Sequence, residues 1–297
     1  MGEAPFGVEN IDSAGQVVII CDHASNRIPE SWGDLGLPPA ARETHIAWDP
    51  GALAVSRRLA ARLGAPLIFS TVSRLVIDMN RPLGSPTLIP AISETTPIPG
   101  NANLTAADRR HRIETIYRPY HAAIDQLIGK VAAERTKTGL LPPSVVAIHS
   151  FTPVFKGVRR PWQVGVIHDA DNRLSSLVLA RLSADPTLSV AENEPYVPAE
   201  EVYFTLEQHA LGRGLMNVMI EIRNDEVQTC ESQDAWAGRL AEAIAGAVNL
   251  ASVNGHDEAS RPAAAINRTA EKTPKALQEG GHGATTVGNG EDSNPHP

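Results

Sequence analysis

Five short apolar runs in this sequence are followed at once by residues that can transfer protons, ligate a metal or grip an anion. Cys21, Asp22 and His23 follow the run 17–20, and Asp78, Met79, Asn80 and Arg81 follow 75–77. His149 and Ser150 follow 145–148, His168 and Asp169 follow 164–167, and Glu221, Ile222 and Arg223 follow 218–220. One polar residue after a strand usually caps the next turn. Imidazoles and carboxylates recurring after strand upon strand point instead to a catalytic centre. Zinc suits such a set, because it needs two or three nitrogen or carboxylate ligands and one position open to water.

Each candidate also has a plainer role. His23 and His149 directly follow apolar runs, and either one alone reads as a hydrogen-bonded structural histidine. Together they offer two nitrogen ligands. Asp49 and His45 are both open as the third ligand, and Asp49 is nearly as well placed to cap the helix that starts at Gly51. Glu221 ends a largely apolar strand, where burial raises a carboxyl pKa and fits it to accept a proton from an activated water. Its plainer role is an ion pair with Arg223. The Arg81 guanidinium can hold a carboxylate through two parallel bonds, with the Asn80 amide as a further donor. The plainer role there pairs Arg81 with Asp78. Cys21 adjoins His23, but neighbouring strand residues face opposite ways and a buried thiol is usually inert packing.

The elements that must position these residues follow from the hydrophobic period. The runs 17–20, 66–69, 75–77, 145–148, 164–167 and 218–220 predict buried strands. The spacing of Ala52, Val55, Leu59 and Leu63 predicts a helix over 51–63 with one apolar face. Further helices are predicted over 174–182 and, Ala-rich and closing the domain, over 235–250. Thr105 and Asp108 have capping-box spacing and open a helix with an apolar face through Ile113, Ile116, Tyr117, Tyr120, Ile124 and Leu127. Pro119 predicts a kink in it near Tyr117. The proline-rich segment 85–103 predicts a long loop, of the kind that serves as a lid or binding loop. Wholly apolar strands separated by helices predict an α/β fold with a mostly parallel sheet covered on both faces. Ligands of such sheets bind beyond the carboxyl ends of the strands, where the polar clusters fall.

Composition excludes several function classes. The 297 residues carry a formal net charge of −8, with both signs interspersed and no basic stripe, so nucleic acid is not the expected partner. Nucleotide-binding glycine fingerprints and the nucleophile elbow G-x-S-x-G are both missing. Two cysteines far apart make no disulfide framework and suit a reducing compartment. With no basic-then-apolar start and no run of bilayer-spanning length, the expected location is cytoplasmic, without membrane association. Residues 1–14 lack a period and are expected to be a flexible N-terminus. Residues 15–253 form the expected single domain. Residues 254–297, with few large apolar side chains, are expected to be a disordered tail. A homo-oligomer is compatible with the sequence, which does not require one.

The chemistry-bearing segments also match a known pattern. Cys-Asp-His-Ala-Ser-Asn-Arg-Ile-Pro (21–29), His-Ile-Ala-Trp-Asp (45–49), Ser-Arg-Leu-Val-Ile-Asp-Met-Asn-Arg-Pro (73–82), Ile-His-Ser (148–150) and Ile-Glu-Ile-Arg (220–223) resemble the N-formylglutamate amidohydrolase family. The resemblance runs from about Val17 to Leu250. That family is similar in fold to zinc carboxypeptidases and aspartoacylase-type aminoacylases. The fold implied is a three-layer sandwich, phosphorylase/hydrolase-like, with a mostly parallel mixed sheet between helices. The resemblance puts His23 and His149 on metal-ligand positions, with Asp49 carried over as the acidic ligand. It puts Glu221 on the general base, and Asn80 and Arg81 on the pair that binds the substrate carboxylate. Arg74, in the same matched segment, is a third substrate-binding candidate. Where carboxypeptidases have a glutamate ligand three residues after the first histidine, this chain has Asn26, a poor zinc ligand.

The expected activity is zinc-dependent hydrolysis of a small N-acyl amino acid, N-formylglutamate first among them. Glu221 takes a proton from the attacking water, and Arg81 steadies the oxyanion as well as the substrate. Arg159 and Arg160, in the loop after His149, are candidates for a second carboxylate or are simply solvated. Two alternatives stay open. One is a metallopeptidase or deacylase of the same fold with another N-acyl or peptide substrate. The other is a non-catalytic protein that captures a small dicarboxylate, which would need the arginines but neither Glu221 nor a metal.

Overall fold

The computed structural model describes residues 4–259. In chain order the strands are β1 (Phe6–Glu9), β2 (Val17–Cys21), β3 (Leu67–Ser70), β4 (Ile92–Ser93), β5 (Thr96–Pro97), β6 (Ser144–Phe151), β7 (Val154–Phe155), β8 (Val158–Arg159), β9 (Val164–Ile167), β10 (Val190–Glu192) and β11 (Asn217–Arg223). The helices are α1 (Pro39–Arg42), α2 (Ala52–Leu63), α3 (Ala106–Arg112), α4 (Arg118–Lys137), α5 (Ser175–Ser183), α6 (Phe204–His209) and α7 (Cys230–Ala259).

Seven strands form one mixed sheet in the order β1-β3-β2-β6-β11-β9-β10. The central strands β3, β2, β6 and β11 are parallel. β1 runs antiparallel to β3, and β9 antiparallel to β11, with β10 parallel to β9. Alternation along the strands divides the apolar side chains between two cores. Val18, Ile20, Val145, Ala147 and Met219 pack with α4 and α6, whereas Val17, Ile19, Val146, Ile148, Val218 and Ile220 pack with α2, α5 and α7. Each buried Val, Leu or Ile side chain contributes roughly 1.5–3 kcal/mol. The expected three-layer sandwich is therefore present, with its polar strand ends anchored by packing on both faces.

Several local expectations are corrected. The run 75–77 is a turn, not a strand, although Leu75, Val76 and Ile77 are fully buried. Ser73 closes it by accepting from Val76 N at 3.0 Å and Leu75 N at 3.2 Å. The carbonyls of Leu75 and Val76 are met by Asn101 Nδ2 at 2.7 Å and Arg112 Nη1 at 2.8 Å, so side chains replace a strand partner. Within 1–14, Phe6–Glu9 is regular: it pairs with β3 as the edge strand β1. The loop 85–103 contains a small hairpin, β4–β5. The helix opened by the Thr105–Asp108 capping box does not simply kink at Pro119. It is divided by a π-helical turn over Ile113–Tyr117, just ahead of the proline. A wider turn there accommodates the missing N–H and the ring of Pro119. The closing helix extends to Ala259, past the expected boundary at 253, and residues 260–297 lie outside the described residues.

Candidate metal and catalytic site

The sheet register builds the site. β2, β6 and β11 lie near the centre and parallel, so their carboxyl ends come together. Asp22, His149 and Glu221 continue the alternation of Ile20, Ala147 and Met219 on the α4 face. Glu221 stands beside His149 in the parallel register, which puts both side chains on the same face. β9 runs the other way. His168 and Asp169, expected among the strand-end clusters, therefore fall at the opposite end of the sheet, where His168 Nε2 lies 2.8 Å from Glu192 Oε1.

His23, Asp49 and His149 converge as a buried trio, each offering one ligand atom within 4.8 Å of the others. Asp49 Oδ2 is 3.4 Å from His23 Nδ1 and 2.9 Å from His149 Nδ1. Ligands about 2 Å from a tetrahedral ion are about 3.3 Å apart, so these separations fit one zinc. His23 Nδ1 is buried and, among the described residues, makes no hydrogen bond, as a ligand atom would be left. The far nitrogens face carboxylates: His23 Nε2 is 2.7 Å from Asp78 Oδ1, and His149 Nε2 is 3.4 Å from Asp22 Oδ2. Tyr120 in turn donates to Asp22 Oδ1 at 2.9 Å. Carboxylates behind imidazoles orient metal ligands and raise their basicity. The trio fits a divalent ion in atom type, spacing and support.

Asp49 does not cap α2, whose N-cap is Gly51 without a side-chain bond. His45 is separate from the trio and pairs with Glu94 at 2.7 Å on the cavity rim. Asn26 binds Arg42 O and Glu43 instead of facing the trio.

The electrostatics favour positive charge between these residues. Burial opposes ionisation of Asp49, Asp78 and Asp22, yet neighbouring cationic groups hold all three below the usual carboxylate range. His23 and Arg74 act on Asp78, and His149 and His23 on Asp49 and Asp22. Burial likewise opposes charge on His149, but Asp22 and Asp49 outweigh it and push its pKa up to about 10. A metal ion would take the place of that proton. Glu221 behaves oppositely. Burial is the main cause that raises its pKa to about 7, Asp49 adds to the rise, and His149 and His23 oppose it. Among the described residues, its Oε2 has no hydrogen-bond partner. Arg223, its plainer partner, pairs with Asp225 and Glu226 instead.

His23, Asp49, Asp78, His149 and Glu221 line a cavity of about 300 Å³ together with Arg74, Asn80, Arg81, Phe155 and Tyr196. Arg74 Nη2 donates to Asp78 Oδ2 at 2.8 Å, and its Nη1 is 3.6 Å from Asp49. Arg81 makes no pair with Asp78. It donates to Thr87 Oγ1 at 3.2 Å, Asn80 O at 2.8 Å and Glu201 O at 3.1 Å. The Asn80 amide is spent on the chain beyond β10: Nδ2 donates to Val202 O, and Oδ1 accepts from Thr205 N at 2.9 Å. Arg159 is exposed, and Arg160 is buried behind the cavity wall. Sequence reasoning missed Tyr120, Phe155 and Tyr196, and gave Asp22 and Asp78 no supporting role. The adjacency of Asp22 to His23 was the one available signal.

The comparisons agree with this geometry. No curated protein matches the sequence. Among solved structures, gene product Atu2144 from Agrobacterium tumefaciens is similar, with 43% identity, a TM-score of 0.78, and coverage of 84% of this chain and 96% of that one. An N-formylglutamate amidohydrolase from Ralstonia eutropha JMP134 shares the fold at 22% identity and a TM-score of 0.56, covering 85% of this chain and 100% of that one. The N-formylglutamate amidohydrolase family model matches residues 15–228, a span that includes the buried trio, Glu221 and both cavity arginines. The chain thus belongs to the N-formylglutamate amidohydrolase family and is an amide-cleaving hydrolase.

Proposed function

We propose that this protein is a zinc amidohydrolase that converts N-formylglutamate and water to formate and glutamate. The observation that carries this reading is the convergence of His23, Asp49 and His149 beside a buried Glu221 with a free carboxylate oxygen. Zinc held by the trio would supply Lewis acidity to water and to the scissile carbonyl. Glu221 Oε2 accepts a proton from the attacking water and returns it to the amide nitrogen as the C–N bond breaks. Arg81, on the cavity wall, binds a substrate carboxylate and assists the oxyanion, and Arg74 adds positive charge beside the trio. Asn80 serves the substrate indirectly, by tying the 202–205 segment to the wall.

The test is the zinc content of the purified protein, with formate release measured with and without a chelator. Stoichiometric zinc and chelator-sensitive formate release are expected. Zinc without formate release would sink the substrate and retain the hydrolase centre. A second reading, hydrolysis of a bulkier N-acyl amino acid, has one observation in its favour. A shallow groove with Trp48, Asn224, Gln228 and Gln233 shares His45 and Thr152 with the cavity. A higher kcat/KM for N-acetyl- or N-succinylglutamate than for the formyl compound would favour it.

A further inference from the structure

The cavity has an aromatic wall formed by Phe155, on β7, and Tyr196. Behind it sits Arg160, only 8% exposed. Its guanidinium carbon lies 4.5 Å from the centre of the Phe155 ring, 4.9 Å from that of Tyr196 and 5.7 Å from that of Phe151. A buried guanidinium normally demands a carboxylate. Among the described residues, the hydrogen bond recorded for this one runs from Nη1 to the Tyr196 hydroxyl at 3.3 Å.

That bond assigns the role of the phenol oxygen. A guanidinium carries donors only, so the Tyr196 oxygen must accept, and its own proton is left to point elsewhere. The cavity holding the trio and Glu221 is the space that Tyr196 lines. Burial first, and then Glu221, raise the phenol's pKa, with Arg160 and Arg74 opposing, so the hydroxyl keeps its proton at neutral pH. The backbone supports the placement. Gly165 stands opposite Glu221 in the sheet, and a Cβ there would come within 1.8 Å of Glu194 O. The absence of that side chain lets the 194–196 segment close over the site.

We infer that Tyr196 is a catalytic hydrogen-bond donor to the carbonyl oxygen of the scissile amide, oriented by Arg160 as a positioning residue. The inference rests on the amidohydrolase reading of the centre. As water adds, the carbonyl oxygen gains negative charge, and a donor already aimed at it binds the transition state more tightly than the ground state. The cation–π stacking holds Arg160 without a competing anion, leaving its Nη1 to the phenol.

The experiment uses zinc-loaded, full-length wild type, Tyr196→Phe, Arg160→Met and Arg160→Lys. With N-formylglutamate, Tyr196→Phe is expected to lower kcat by ~100-fold while KM stays within about threefold, the pattern of a lost oxyanion donor. Arg160→Met is expected to lose about tenfold, and Arg160→Lys, which keeps a charged donor, to recover part of that. In parallel, the Kd of acetohydroxamate, an amide analogue with an anionic oxygen, is measured by calorimetry at equal zinc content. Weakening by about tenfold in Tyr196→Phe is expected for one lost charge-assisted bond. Unchanged hydroxamate affinity, or a raised KM at unchanged kcat, overturns the assignment. If the wild type releases no formate, the substrate reading fails by itself, and the hydroxamate comparison still decides the role of Tyr196.

Discussion

Burial drives Glu221 towards its protonated form and sets its pKa at about 7, near the working range of a general base. Only the deprotonated carboxylate can accept a proton, so kcat should rise with pH through that pKa. A cation on the neighbouring trio would lower the value, which puts the acid limb at or below pH 7. Glu221→Gln should cost roughly 10²–10⁴-fold in kcat, retain zinc and remove the acid limb. Wild-type turnover in that variant would take Glu221 out of the mechanism. His23→Ala should bind zinc far more weakly, as read by competition with a chromogenic chelator. At this scale the sequence was informative where a polar side chain comes at or just after the end of an apolar run, as His23, His149 and Glu221 do. It could not reveal that Tyr120 reaches Asp22, or that His23 rests on Asp78. Those contacts join residues 98 and 55 positions apart.

Between α4 and α6, two imidazoles meet edge to edge in nearly one plane, joined nitrogen to nitrogen. His121 and His209 have ring centres 5.0 Å apart and a nitrogen–nitrogen contact of 2.7 Å, with His209 resting on Asp125. Burial first, and then His209, lower the His121 pKa to about 4. The unfolded chain takes up a proton there near pH 6.5, whereas the folded chain resists until about pH 4. Stability is therefore complete above pH 6.5 and declines as pH falls towards 4, by up to about 3 kcal/mol from this group. Urea titrations at pH 7 and pH 5 should show the difference, and His121→Phe should shrink it. Gly165→Ala should force Glu194 away from β9, with an overpacking cost of about 1–3 kcal/mol. An unchanged melting temperature would show that the segment yields easily.

The same elements show what sequence patterns can and cannot convey. Helix α2, the Thr105 capping box and the central strands follow local periodicities, and they were legible. The direction of β9 was not, because an apolar run of four residues reads identically either way along the sheet. The 75–77 turn reads as a strand because its side chains are buried, while its carbonyls are satisfied by Asn101 and Arg112 from a distance. β1 depends on long-range pairing with β3 and has no period of its own to announce it.

At the scale of the whole molecule, the centre concentrates acids inside the fold: Asp22, Asp49, Asp78 and Glu221 are all buried. A divalent ion that binds only the folded chain should stabilise all of it, by about 4 kcal/mol at a free concentration 1,000 times its Kd. Thermal melts with and without chelator should separate by several degrees, and coincident melts would argue against tight binding at the trio. Among the described residues no helix is long and apolar enough to cross a membrane.

The outer margins of the sheet have a further consequence. On one side it ends in β1, four residues long, and on the other in β10, three residues long. Glu9 at the end of β1 is engaged by Arg57, and Glu192 at the end of β10 by His168. Margins so short and charged are poor templates for a strand from another molecule. Concentrated solutions should therefore resist fibril growth, and a continued ladder is a poor basis for pairing two copies.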